Sequence, residues 1–389
     1  MLMQPEVSPR KEDKMDFDFS AEQKQLKETA RRFLADKCSS KAVRVILDGP
    51  QSYDRNLWKE MAAMGFLGTA IPEEHGGLGL GYLELCVIAE ELGRAVAPVP
   101  FASTVYLGAE FLKAAGSEAQ KQAWLPKIAA GEAIGCFAFA EGVGEVTPRA
   151  IKTSASGGRL NGSKIPVLDG DIADFAVVAA RTGTGNDERA ISLFLVDLKS
   201  PGVTRSKVET VDPTRSQARI DFKDVAAEPL GATGGGWQIL ADVFNRAAIL
   251  IAFEQVGGSD RALEMGRDYA LERLAFGRPI GSFQAIKHML ADMYVSATLA
   301  RSNCYYAAWA LSTGAAELPE AAATARVSAT QAFQHCAKNN IQVHGGMGFT
   351  WQFDCHLYYR RSHQLALALG SQSHWENLLI DRLRARNAA

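Results

Sequence analysis

The chain has 389 residues, 47% of them hydrophobic and 22% charged, a balance that supplies a sizeable core, excludes disorder as a whole and suits two or three units at roughly 150 residues each. Lys and Arg total 42 against 44 Asp and Glu, a formal net charge of −2 with no basic patch, so a nucleic-acid partner finds no electrostatic footprint. The longest apolar run, Ala247 to Phe253, is far shorter than the ~20 residues that span a bilayer.

Residues 1–15 put charges where a secretory signal needs an apolar segment, and read as a disordered extension before the fold. Ser20-Ala21-Glu22-Gln23 is a capping box that predicts a helix start. Leu26, Ala30, Phe33 and Leu34 recur at helical spacing, as do Leu57, Met61 and Met64 ahead of Gly65, a residue suited to the position just past a helix. Leu83 to Leu92 and Gln120 to Ala130 continue the pattern, separated by Gly- and Pro-containing breaks at 76–79 and 97–100. Residues 16–131 therefore read as a helical domain.

Residues 132–233 change texture. Short β-branched and aromatic runs (175–180, 191–196, 203–211 and 218–225) alternate with Gly, Pro, Asn and Asp. In the last run Ala218, Ile220 and Phe222 face one way and Arg219, Asp221 and Lys223 the other, the period of a half-buried strand. After Gly234-Gly235-Gly236 the helical period returns for residues 234–389. Ile286, Met289, Leu290, Met293, Ala297 and Ala300 mark a long helix, and Pro319 suits the first turn of another running toward Val343. The six cysteines are far apart, with no CxxC pair and no metal-ligand spacing, and read as core thiols of a cytoplasmic protein.

No GxSxG elbow, Walker loop, HExxH or strand–GxGxxG–helix unit is present. Gly345-Gly346-Met347-Gly348 follows a helical stretch and by itself reads as a helix-ending turn. Tyr269, Arg273, Phe276-Gly277, Pro279-Ile280, Gln284, Lys287-His288 and Leu290-Ala291-Asp292 are more specific. Their spacing resembles the YxxxRxxFGxPI and QxxKHxLAD signature of the acyl-CoA dehydrogenase family. MDFDFSAEQKQL, GFLGTAIPEEHGGLGLGYLE, CFAFAEG and QVHGGMGF are similar to its other landmarks and extend the resemblance over most of the chain. It implies an α+β multidomain fold: an N-terminal helical domain, a middle β-barrel and a C-terminal four-helix bundle that tetramerises. It also implies an FAD-dependent α,β-dehydrogenation of an acyl-CoA thioester, with an electron-transfer flavoprotein as electron acceptor.

The resemblance locates the departures too. The family's catalytic carboxylate precedes a Gly that aligns with Gly370, which puts Leu369 at the base position. A minority of relatives place the Glu before an Arg that aligns with Arg246, a substrate-binding position; here that residue is Asn245. Neither Leu nor an amide takes a proton at neutral pH. Glu376 and His363 lie near in sequence but at neither position. The flavin-ring triplet TEP reads Ala140-Glu141-Gly142, the Ser of the following GSD aligns with Val146, and the ring-stacking WIT reads Pro166-Val167-Leu168.

The positions that grip the ADP half of a neighbouring subunit's FAD are kept, as Arg273, Phe276, Gln284, Gln342, Gly345 and Gly346. Loss of the ring half with retention of the ADP half implies a base-lacking subunit of a heteromeric (α2β2) acyl-CoA dehydrogenase, acting on bulky or polar acyl groups such as steroid side chains. A second acyl-CoA dehydrogenase subunit would then supply ring pocket and Glu. A self-sufficient homo-oligomeric flavoenzyme with a relocated base, or a non-catalytic acyl-CoA-binding scaffold, are the alternative readings.

Overall fold

The Ser20 hydroxyl accepts the Gln23 N–H, and the Gln23 side chain accepts the Ser20 N–H at 2.9 Å. This capping box opens α1 (Ala21–Lys37) in the computed structural model, which describes residues 19–388. The extension expected at 1–15 lies outside the described residues. α2 (Ser40–Asp48), α3 (Arg55–Ala63) and α4 (Tyr82–Arg94) follow. A π-helical stretch, Ala102–Ala109, then runs into α5 (Glu110–Ala115), and α6 (Glu118–Ala129) completes the N-terminal helices. Lys27 and Arg31 fasten α1 to the buried Glu90 and Glu91 of α4 at 2.7 and 2.8 Å.

The middle of the chain forms β1 (Gly135–Ala138), β2 (Ser154–Ser156), β3 (Arg159–Leu168), β4 (Phe175–Arg181), β5 (Ile191–Asp197), β6 (Val203–Val208), β7 (Gln217–Ala226) and β8 (Glu228–Leu230). They make one sheet in the order β6-β7-β3-β2-β4-β5-β8, with β1 parallel to β4. Beyond β1 the chain bridges to β3 through Gly142 and Ile165. The expected closed barrel is a correction: among the described residues β6 and β8 end the sheet without pairing to each other. β6 is mostly exposed, and β8 is only three residues long before the chain leaves for the next helix. Ala218, Ile220 and Phe222 are buried and Arg219 and Lys223 exposed, the alternation expected of a half-buried strand.

The C-terminal part holds α7 (Gly236–Glu272), a small hairpin of β9 (Leu274–Ala275) and β10 (Arg278–Pro279), α8 (Gln284–Thr313), α9 (Leu318–His344), α10 (Cys355–Leu367) and α11 (Gln372–Ala388). α4 packs directly on α7, an approach set by two glycines. A Cβ on Gly93 would lie 1.9 Å from the Glu254 carbonyl oxygen, and one on Gly257 1.8 Å from that of Glu90. Arg361 of α10 is buried where the three parts meet: it donates to Asp212 at 2.6 Å, Thr214 at 2.8 Å and the Val96 carbonyl at 3.2 Å. The six cysteines are buried and free. Among the described residues no helix is long and apolar enough to cross a membrane.

Candidate functional site

Two places carry the residues singled out by the sequence. The first is one end of the helical bundle, where α7 finishes, the hairpin turns back and α8 begins. The Arg273 carbonyl accepts the Ile280 N–H at 2.8 Å, and Tyr269 stacks on His344 with ring centroids 4.1 Å apart, which brings the end of α9 to the same corner. Phe276 and Gly277 turn the hairpin with φ of 54° and 78°. The Phe276 ring is 96% exposed and lies edge-on to Phe283 at 6.2 Å.

Arg273, Gln284 and Gln342 are all exposed, and their side chains have no hydrogen-bond or ion-pair partner among the described residues. Gly345 has φ 59°, and a side chain placed there or at Gly346 would meet no protein atom within 4 Å. An unpaired guanidinium, two free amides and open glycine backbone are groups that suit a diphosphate and its nucleoside. The helix-ending turn expected at Gly345 is present as well: its N–H caps the Gln342 carbonyl.

The second place is where α5, α7, the loop after β1 and the segment from α10 into α11 meet, through Arg246 and Glu110, His374 and Glu145, and Arg382 and Asn245. Glu141 accepts the N–H groups of Lys152 and Thr153 at 2.7 and 2.9 Å and pairs with the buried Lys164 at 2.8 Å. Burial pulls Lys164 down to about 8 against the attraction of Glu141. Burial likewise opposes charge on Glu141, but Lys164 and the two backbone donors hold it below the usual carboxylate range. Three donors from the middle domain thus engage its two oxygens. Ala140, Val146, Pro166 and Leu168 carry no polar side chains, and Val146 and Leu168 pack against the core. These four side chains offer no hydrogen bond to the polar edge of a flavin ring.

Leu369 sits between α10 and α11 with φ 61°, packed on the core. Its carbonyl accepts Trp375 Nε1–H at 3.2 Å. Buried Arg326 holds the carbonyls of Leu365 and Ala368, fixing this segment from below. Asn245 is buried in α7, where its Oδ1 accepts from Arg382 of α11 at 3.0 Å. Arg246 turns toward the buried Glu110 at 3.3 Å, a carboxylate that also takes the Tyr82 hydroxyl at 2.7 Å. Glu376 accepts from Gln372 at 2.6 Å, and His363 lies edge-on to Tyr359 at 4.5 Å.

Two contacts here were absent from the sequence expectations. Arg382 reaches Asn245, and His374 Nδ1 meets Glu145 Oε1 at 2.6 Å. The partners are 137 and 229 residues apart, so no local spacing announces either.

Profiles of the acyl-CoA dehydrogenase N-terminal, middle and C-terminal domains match residues 20–132, 136–225 and 234–383. The chain is 35% identical to acyl-CoA dehydrogenase IpdE2 of Mycobacterium tuberculosis over 90% of its own length and 93% of that protein's. Among solved structures it is similar to the ChsE4-ChsE5 complex from Mycobacterium tuberculosis, with TM-score 0.86, 28% identity and 95% and 99% of the two chains covered. It is also similar to a Tcur3481-Tcur3483 steroid ACAD variant, with TM-score 0.85, 31% identity and 95% and 99% covered. With all three domains matched in order, the chain belongs to the acyl-CoA dehydrogenases, a family of FAD-dependent oxidoreductases.

Proposed function

We propose that this chain is a subunit of a heteromeric acyl-CoA dehydrogenase, and that it lends the ADP-binding half of an FAD site to a partner subunit that holds the ring pocket and the catalytic Glu. The observation that carries the reading is the division within one chain. The corner at Arg273, Phe276, Gln284, Gln342, Gly345 and Gly346 is exposed, with the Arg and Gln side chains unpaired, while Leu369, Asn245, Ala140 and Pro166 offer neither a base nor ring-donor side chains. Bound FAD supplies the hydride acceptor for α,β-dehydrogenation of an acyl-CoA. This chain's part is to hold the diphosphate through Arg273 and the open glycine turn. The likeness to steroid dehydrogenases supports a bulky acyl group as substrate, and an electron-transfer flavoprotein is the proposed electron acceptor.

Arg273→Ala tests this. Loss of charge-assisted hydrogen bonds, each worth about 1.5–3 kcal/mol, should weaken FAD binding by the assembled enzyme at least tenfold, since each ~1.4 kcal/mol is a factor of ten. Excess FAD should restore turnover. The matching Arg substitution in the partner subunit should leave flavin content nearly unchanged. Equal FAD loss from both variants, measured by flavin absorbance per subunit, would instead mean two complete sites per pair and end the one-sided reading.

A further inference from the structure

A cavity of about 390 Å³ lies between α1, α4, α7 and α10 and shares no residue with the Arg273 corner. Ligand pockets run from ~300 to ~1,000 Å³, so there is room for a small molecule. Small side chains leave the space: Ala35 of α1, Ser40 of α2 and Ala95 just past α4 face it. Its wall is otherwise largely apolar, with Leu34, Cys38, Leu357 and Tyr358 buried and Met265 of α7 half-buried. α1 and α4 both end here, where free carbonyls would repel an anion, but the last turns are closed. The Leu34 carbonyl accepts the Cys38 N–H at 2.8 Å, and the Arg94 carbonyl accepts the Tyr358 hydroxyl at 2.9 Å.

The charges at the cavity are unevenly paired. Arg31 donates through two nitrogens to Glu91 at 2.8 and 3.0 Å, with the exposed Glu28 a looser contact at 3.9 Å, and Arg44 holds Asp354 at 2.8 Å. Arg94 of α4 and Arg261 of α7 instead share one carboxylate, Glu264, which Arg261 reaches at 3.3 Å. Burial opposes charge on Glu264, and the two guanidiniums nevertheless hold it below the usual carboxylate range. One guanidinium of the two therefore has no carboxylate of its own beside an apolar wall, and both keep N–H donors beyond those given to Glu264.

We propose that this cavity binds an amphipathic monocarboxylate, its carboxylate on Arg94 and Arg261 and its apolar part against Leu34, Cys38, Met265 and Leu357. A planar guanidinium takes a carboxylate through parallel hydrogen bonds, and the wall removes the apolar part from water. An alcohol of the same shape lacks the charge, and an amine meets the excess cation. A dianion brings more charge than the pair leaves open, against a wall that does not solvate it. The occupant would bridge the N-terminal helices to the bundle, so binding should stabilise that junction. The site is separate from the FAD corner and does not rest on the function proposed above.

Isothermal titration calorimetry of the purified native assembly with sodium octanoate tests the site. Octanoate should bind saturably, once per copy of this chain, and 1-octanol and octylamine should bind about tenfold more weakly or not at all. Arg261→Met keeps the apolar stem and should weaken octanoate about tenfold, while Arg261→Lys keeps the charge and should weaken it less. Ala35→Trp, a change at an exposed position of α1 that puts a large ring at the cavity, should weaken octanoate by as much as Arg261→Met and leave flavin content unchanged.

Octanoate that fails to saturate, or 1-octanol that binds as tightly as octanoate, would overturn the site. So would octanoate affinity unchanged in both Arg261→Met and Ala35→Trp, which would mean that octanoate sits elsewhere in the assembly. If circular dichroism shows Arg261→Met unfolded, Ala35→Trp decides alone. Loss of the one-sided FAD reading would leave each of these measurements as it stands.

Discussion

Asp169 lies wholly inside the protein, accepting from Ser103 at 2.7 Å and lying 3.3 Å from the Ser216 hydroxyl, which donates to Asp171 at 2.5 Å. Burial raises Asp169 from an ordinary 3.8 to about 6, against the pull of Ser103 and Arg215. Between about pH 4 and 6 the folded chain therefore holds a proton that the unfolded chain has lost, and stability falls as pH rises through that window. Asp169→Asn removes this term. Relative to wild type the variant should gain about 3 kcal/mol between pH 4 and pH 7, the equivalent of two pKa units, read from urea midpoints at the two pH values. A constant difference between the two proteins across that range would contradict the assignment. At this scale Leu369 and Asn245 were legible because each stands beside a landmark of fixed spacing. His374 and Arg382 were not, because a contact between residues more than a hundred positions apart is set by how the helices pack and leaves no mark on the local pattern.

Helix α10 is tied to the other two parts by Arg361, whose partners come from the N-terminal part through the Val96 carbonyl and from the loop before β7 through Asp212 and Thr214. Arg361→Leu leaves the Asp212 carboxylate buried without its cation, a change that costs about 3–5 kcal/mol. Unfolding in urea should show that loss, and Arg361→Leu combined with Asp212→Leu should recover part of it because no unpaired charge remains. An Arg361→Leu protein as stable as wild type would show that Asp212 is satisfied elsewhere. The helices and β4, β5 and β7 were readable from periodicity because each packs one apolar face or lies wholly inside. β3 was not: its Asn, Gly, Ser, Lys and Pro look like loop, yet it is held between β2 and β7. Gly162 is required there because a Cβ would lie 2.5 Å from the Thr153 hydroxyl, and Pro166 falls at the break in register between Lys164 and Val167, where no ladder bond is lost. The run expected to extend to Val211 stops at Val208, since residues 212–216 turn inward to bury Asp212, Thr214 and Arg215.

For the molecule as a whole, the outer face of α8 presents Tyr294, Val295 and Leu299, each more than half exposed, on the same bundle whose end carries the exposed Leu274 and Phe276. Apolar side chains at i, i+1 and i+5 on a long helix form a stripe that a monomer leaves in water, and such a surface favours association through a symmetric or paired interface. The chain purified alone should therefore associate or aggregate, and co-expression with the proposed second dehydrogenase subunit should give a defined assembly. Val295→Lys with Leu299→Glu lies on the exposed side of the helix and should leave helix content by circular dichroism unchanged while shifting the sedimentation profile toward single subunits. If, as proposed, another chain supplies the ring pocket, the same double substitution should also lower flavin per subunit, although Arg273 and the glycine turn are untouched. A wild-type chain that sediments as a flavin-free monomer and is unchanged by the partner would overturn this assembly, and a dissociated variant that keeps full flavin would show that one chain holds the cofactor by itself.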